Sequence, residues 1–165
     1  MANHRQRGLI LAAIIFVADQ LLKWLVTGPL GLTIVGQQVE LLPIFDFTLV
    51  HNYGVSGGLF QVESPTGRWI LTGVTALIAA VVLRWLWSEK NRSDALGLGL
   101  ILGGAIGNIV DRVRVGYVID FLDLHFGTFR PFLVFNIADA AITIGVLILL
   151  ARAFLSKGES HEGGE

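Results

Sequence analysis

Long apolar stretches alternate along this chain with short polar ones. A helix needs ~20 mostly apolar residues to cross ~30 Å of hydrocarbon. Four segments reach that length, about Gly8–Thr27, Trp69–Trp87, Ala95–Val113 and Phe132–Leu155. The first follows Arg5 and Arg7 in the manner of a secretory signal, but Asp19 and Lys23 interrupt it and no small-residue cleavage site follows. It is read as a retained helix. The first segment outside the spans, about Gly28–Gly67, contains the strand-like run Phe45-Asp46-Phe47-Thr48-Leu49-Val50, bounded by Pro43 and a glycine cluster. Ser64-Pro65 reads as a helix cap followed by a first-turn proline. A later segment, about Arg114–Pro131, holds a second strand-like piece, Val115–Phe121. Gly99, Gly103 and Gly107 recur at four-residue spacing, a row that lets another helix approach closely, and packing is their expected role. The pattern predicts an all-α membrane protein, a four-transmembrane-helix bundle with a small extracytoplasmic β-sheet. A single domain over 1–155 is expected, followed by a polar, glycine-rich tail over 156–165 that is expected to be disordered and cytoplasmic.

Composition agrees with the pattern. Of 165 residues, 53% are hydrophobic and 15% charged, against ~25% charged in an ordinary soluble domain. A formal charge of -1 gives no reason to invoke nucleic acid. The absence of cysteine excludes thiol catalysis, thiolate metal sites and disulfides. Orientation follows from lysine and arginine. Arg5, Arg7, Arg84, Lys90, Arg92, Arg152 and Lys157 fall on one side; Arg68, Arg112, Arg114 and Arg130 fall on the other. The excess places both termini in the cytoplasm. Trp24, Trp69, Trp85 and Trp87 sit near helix ends, where indole rings favour the interface.

With this topology the polar residues of the spans gather at one depth. Asp19 lies in the outer half of the first helix, Asn108, Asp111 and Arg112 end the third, Asn136 and Asp139 begin the fourth, and Asp120 lies between those two ends. An ionisable group costs ~2.5–3.5 kcal/mol to insert at a helix centre, so each needs a reason. Asn108 with Asp111 or Arg112, and Asn136 with Asp139, have the spacing of one helix face. Asp120 and Asp139 can face each other across the top of the bundle. Two carboxyls close together in a low dielectric cannot both ionise easily and share a proton. One can then take a proton from water while the other protonates a carbonyl or leaving amine, with asparagine or arginine steadying oxyanion charge. Bland readings stand beside this one. Asp19 and Lys23 are spaced for an i,i+4 ion pair, Arg112 with Asp111 for an interfacial anchor, and Asp46 and Asp123 are expected to be solvated loop acids.

These residues resemble the lipoprotein signal peptidase (signal peptidase II) family. The motifs that carry the resemblance are Asp19-Gln20-x-x-Lys23, Asn52-Tyr53-Gly54, Gly103-Gly104-Ala105-Ile106-Gly107-Asn108-Ile109-Val110-Asp111-Arg112, Gly116-Tyr117-Val118-Ile119-Asp120-Phe121 and Phe135-Asn136-Ile137-Ala138-Asp139. They follow the family's order over nearly the whole chain. The resemblance implies an aspartic endopeptidase of the bacterial cytoplasmic (inner) membrane, with its active site toward the outer face. It would remove the signal peptide from diacylglyceryl-modified prolipoproteins, cleaving before the lipidated cysteine. Asp120 and Asp139 would be the catalytic pair, and Asp19, Asn52, Asn108, Asp111, Arg112 and Asn136 would support the site or bind substrate. The expected partners are the lipid-modified prolipoprotein and membrane lipid, with no nucleic acid, no cofactor and no metal, and the chain is expected to act as a monomer. After Asn52-Tyr53-Gly54 the family usually continues with small residues and an aromatic; here Gly57 takes the aromatic's place.

Three other readings compete. Gly54-Val55-Ser56-Gly57-Gly58 fits the G-x-S-x-G nucleophile pattern, with His51 or His125 as a base. That pattern needs a strand-to-helix elbow on a large parallel sheet, for which this chain has no room, and the histidines are read as loop residues. A proton-coupled transporter would want its acids in a ladder across the membrane rather than at one depth. A non-enzymatic assembly subunit would use the glycine row alone.

Overall fold

The computed structural model describes residues 3–54 and 64–159. Ser56 and Gly57, and the tail from residue 160, lie outside the described residues. Seven elements follow in the order α1 (His4–Thr27), β1 (Gln38–Leu42), β2 (Phe45–Asn52), α2 (Pro65–Ser88), α3 (Arg92–Arg114), β3 (Val118–Leu124) and α4 (Ile137–Glu159). All four helices are long and apolar enough to cross a membrane. The fold is therefore an all-α membrane bundle of four helices with a small three-stranded sheet at one end.

Helix boundaries follow local chemistry. Asn3 and Gln6 form a reciprocal capping box, which starts α1 before the apolar run begins. Ser64 accepts from the Gly67 N–H and Pro65 occupies the first turn, so α2 begins ahead of Trp69. Asn91 caps α3 by accepting from Ser93 and Asp94. The start of α4 departs most from the apolar pattern. Phe132–Phe135 is apolar but not helical, because Phe135 bridges to Leu122 of β3 and its backbone bonds go there instead. At its other end α4 continues to Glu159, beyond the Leu155 boundary expected from hydropathy.

Helix α3 forms the centre of the bundle: half of its apolar window is buried, against 22% in each of the other three helices. The glycine row explains how. A Cβ on Gly103 would stand 2.5 Å from Ala12 O, and one on Gly99 would collide with the Gly8 carbonyl, so α1 lies directly on this face. Gly107 continues the row and faces not backbone but the Asp19 carboxylate, 2.6 Å from where a Cβ would be. The opposite face meets α4 through Gly97 with Gly145 and Gly104 with Ala138. Without these close approaches dispersion between helices would weaken, and lipid offers no hydrophobic drive to replace it.

The sheet has the order β1-β2-β3 and is antiparallel throughout. Strand β1 has an exposed, weakly alternating sequence, Gln38-Val39-Glu40-Leu41-Leu42, and is defined by pairing with β2 rather than by its own pattern. Val26, Leu32, Leu49 and Phe121 are fully buried beneath the sheet, and Phe47 meets Phe121 edge-on at 5.4 Å. Strand β3 starts at Val118 rather than Val115, because Gly116 turns the chain with φ 93°. This register sets Asn52 beside Val118 and Val50 beside Asp120.

Asp46 and Asp123 correct the sequence reading. They are not solvated loop acids but a cross-strand pair, 6% and 1% exposed. Asp46 lies 2.9 Å from His125 Nε2, and Asp123 accepts from Thr48 Oγ1 at 2.9 Å and from Arg130 Nε at 3.1 Å. Local pattern could not show these partners, which come from pairing and from the loop after β3.

Candidate active site

The eight residues singled out above come from α1, β2, α3, β3 and the start of α4, and none is more than 7% exposed. One connected hydrogen-bond network holds them all. Buried polar groups persist in so apolar a molecule by pairing, and here most of them are paired with one another.

Asp120 projects from β3 and is bonded at both oxygens. Asn52 Nδ2 donates to Oδ2 at 3.0 Å and Asn136 Nδ2 donates to Oδ1 at 2.7 Å. Neither amide can be turned round. Asn52 Oδ1 accepts the Gly54 N–H at 2.9 Å, and Asn136 Oδ1 accepts the Asp139 N–H at 2.9 Å. A backbone N–H only donates, so each carboxamide must present its oxygen to the backbone and its NH2 to Asp120. Asn136 thereby also caps α4, satisfying one of the N–H groups that a helix start leaves open.

Asp139 stands in the first turn of α4 and accepts from Asn108 Nδ2 at 2.9 Å. Asn108 in turn accepts from Asn136 Nδ2 at 3.2 Å. The carboxyls of Asp120 and Asp139 are thus joined through Asn136 and Asn108. Burial pushes the Asp120 carboxyl up from its ordinary 3.8 to about 7, and the neighbouring charge of Asp139 adds to the shift.

A second layer lies beneath. Lys23 bridges Asp19 at 2.8 Å and Asp111 at 2.7 Å. Asp19 also reaches across to α4, accepting the Ala138 N–H at 3.1 Å, and Asp111 accepts the Ile119 N–H at 3.1 Å. Gln20 Nε2 donates to both Asp19 and Asp111. The Asp19–Lys23 ion pair expected from spacing therefore exists, but as part of a four-element junction. Arg112 does not lie at the interface as an anchor. It is buried and donates from Nη2 to Gly54 O at 2.6 Å, holding the turn that follows Asn52. Lys23 and Gln20 were outside the set of expected site residues, although both stand in the Asp19-Gln20-x-x-Lys23 motif; spacing alone reads as a local ion pair.

A cleft of about 170 Å3 opens between α2, α3 and α4. Asn52, Asn108, Arg112 and Asp139 form its polar wall, and Ile78, Ile101, Ala105 and Ile142 its apolar one. His51, the candidate base of the serine pattern, stacks on Tyr117 at 3.7 Å, away from the cleft lining. The geometry offers two carboxyls fixed by amides, a neighbouring guanidinium and an apolar trough beside them.

Comparison with known proteins bears on what such an arrangement does. The sequence profile of signal peptidase (SPase) II matches residues 11–155. The lipoprotein signal peptidase of Rhizorhabdus wittichii is 55% identical, the match covering 92% of this chain and 88% of that protein. The lipoprotein signal peptidase of Caulobacter vibrioides is 44% identical, over 89% of this chain and 86% of the relative. Among solved structures, a bacterial membrane enzyme determined by the in meso method superposes with a TM-score of 0.80 at 25% identity, covering 96% of this chain and 93% of its own. A second such enzyme gives a TM-score of 0.74 at 26% identity, over 89% and 92%.

Proposed function

The chain belongs to the signal peptidase II family, and on that premise we propose that it is a membrane-embedded aspartic endopeptidase removing the signal peptide from diacylglyceryl-modified prolipoproteins, with cleavage before the lipidated cysteine. One observation carries the aspartic mechanism: Asp120 and Asp139, from a strand and a helix, are bound into one asparagine network at the polar end of an apolar cleft. Two carboxyls in that setting share a proton near neutral pH. In the ionised member's role, a carboxylate takes a proton from water as the oxygen attacks the scissile carbonyl. The protonated member hydrogen-bonds the carbonyl oxygen and then delivers its proton toward the leaving amine. The Arg112 guanidinium and the cleft-facing asparagines supply positive potential for the developing oxyanion.

The molecular frame supports a lipid-borne substrate. The cleft lies between membrane-length helices, so a signal peptide held in the bilayer meets Asp139 on the cleft wall without leaving it, with Asp120 joined to that wall through Asn52 and Asn136. The distribution of lysine and arginine supports both termini in the cytoplasm, and with them the sheet and the aspartates toward the outer face.

The test is cleavage of a purified diacylglyceryl-modified prolipoprotein by the enzyme in detergent or lipid, with parent, Asp120→Asn, Asp139→Asn and Ser56→Ala side by side. Loss of at least ~10²-fold in kcat is expected for each aspartate variant, as for removal of a general acid or base, with folding intact and Ser56→Ala at the parent rate. A dead serine variant beside an active aspartate variant would overturn the reading.

A further inference from the structure

The chemistry above makes no use of Lys23. Its side chain is 3% exposed on α1, and it does not line the cleft. The two flanking carboxylates account for its charge but not for its third bond. Nζ also donates to Asn108 Oδ1 at 3.2 Å, so Asp19, Asp111 and Asn108 take up the three N–H groups that an ammonium carries.

That third bond has a consequence for Asn108. The same Oδ1 receives Asn136 Nδ2, and the Asn136 amide is itself fixed by the Asp139 N–H on its oxygen. Two groups that can only donate therefore converge on one end of the Asn108 carboxamide. Turned round, Asn108 would set its own NH2 against both. Its Nδ2 is forced the other way, where it meets Asp139 Oδ1 at 2.9 Å. Of the two donors Lys23 is the charged one, and charge-assisted hydrogen bonds are roughly twice as strong as neutral ones.

We propose that Lys23 is a positioning residue: its buried ammonium fixes the Asn108 carboxamide, so that the same oxygen of Asp139 always receives an N–H and proton exchange is directed to the other. This rests on the aspartic-peptidase reading of Asp120 and Asp139. The rival account is that Lys23 only balances two buried acids and holds α1 to α3.

Removing the ammonium alone would strand two carboxylates in the interior, a change that destabilises strongly. The test variant is therefore Lys23→Met in an Asp111→Asn background, read against Asp111→Asn. Each is made with and without Asn108→Ala. Folding is followed by size-exclusion profile and thermal unfolding, and cleavage of diacylglyceryl-modified prolipoprotein is expressed per folded molecule. With Asn108 present, Lys23→Met is expected to lower kcat about tenfold or more with KM within about twofold, and with Asn108→Ala already in place to lower it by less than about twofold. The same cycle on Lys23→Met/Asp19→Asn, which matches charge through the other carboxylate, is expected to give the same split. An unchanged kcat per folded molecule, or equal losses with and without Asn108, overturns the proposal. Asp120→Asn and Asp139→Asn are assayed alongside. If they cleave at the parent rate the aspartic reading falls; if they are inactive and the Lys23 and Asn108 losses simply multiply, only the role of Lys23 falls.

Discussion

At the scale of single residues, Asp120 is the group whose proton the structure most plainly controls. Its carboxyl is raised by burial and by Asp139 to about 7. Between 3.8 and about 7 the folded chain keeps a proton that the unfolded chain has released. This group's contribution to stability is accordingly full below the lower value and declines as pH rises through the window. Catalysis through a shared proton has the same sense. As pH climbs past about 7 the pair loses that proton, and kcat/KM is expected to fall up to tenfold per pH unit, with an apparent pKa that belongs to the pair. A rate profile with the reconstituted enzyme from mildly acidic to alkaline buffer checks this; a rate that stays flat well above neutrality removes the shared proton from the mechanism. Seven residues of the network were brought to one depth by their places in or between the apolar spans, whereas Asn52 entered only through the Asn52-Tyr53-Gly54 motif. Asp46 and Asp123 were not legible in the sequence, since their burial depends on a cross-strand pairing and on His125 and Arg130, which adjacent sequence does not indicate. Lys23 was half legible: its spacing announced Asp19, but nothing in sequence announced Asn108, 85 positions away.

At the scale of elements, the glycine row of α3 does two jobs that spacing could not separate. Gly99 and Gly103 admit the backbone of α1, whereas Gly107 admits the Asp19 carboxylate that binds α1 to the first turn of α4. Gly107→Ala puts a methyl 2.6 Å from Asp19 Oδ2 and must push that carboxylate off Lys23 or off the Ala138 N–H. Overpacking of this kind costs ~1–3 kcal/mol, and the displacement is expected to reach Asp139 and lower kcat as well as the unfolding temperature. Gly73 of α2, with open space around its would-be Cβ, is the control. Gly73→Ala is expected to leave cleavage unchanged and, from helix propensity, to stabilise by up to ~1 kcal/mol. Equal behaviour of the two alanine variants in thermal unfolding and cleavage would deny Gly107 its special place. Helix existence was legible from apolar length alone. The start of α2 was legible in Ser64-Pro65, but the starts of α1, α3 and α4, and β1 entirely, were not, because caps such as Asn3 and Asn91 and the diversion of Phe135 into pairing with β3 are decided by hydrogen bonds that hydropathy does not see.

For the whole molecule, the arrangement of polar and apolar surface fixes how it must sit in a bilayer but leaves two directions open. Trp24 and Trp69 lie at the sheet end and Trp85 and Trp87 at the other, where Arg5 also packs over the Trp87 ring at 4.3 Å. The two belts frame a band of exposed Ile, Leu and Val on α1, α2 and α4. Either direction buries that band equally well, so the choice rests on charge, and the excess of lysine and arginine at the end away from the sheet supports the proposed direction, with that end inside. Function demands the same sense only if the substrate is cut after export, when its lipidated end is at the outer leaflet. The chain has no cysteine, so direction can be read with single introduced thiols and no background. Glu40→Cys lies exposed on β1 and Lys90→Cys exposed in the connection between α2 and α3. In intact spheroplasts a membrane-impermeant maleimide is expected to label Glu40→Cys alone, and after lysis both. Labelling of Lys90→Cys before lysis with Glu40→Cys protected would turn the molecule over. It would place the aspartates on the cytoplasmic side, where a processed lipoprotein bound for the outer face could not be released by them.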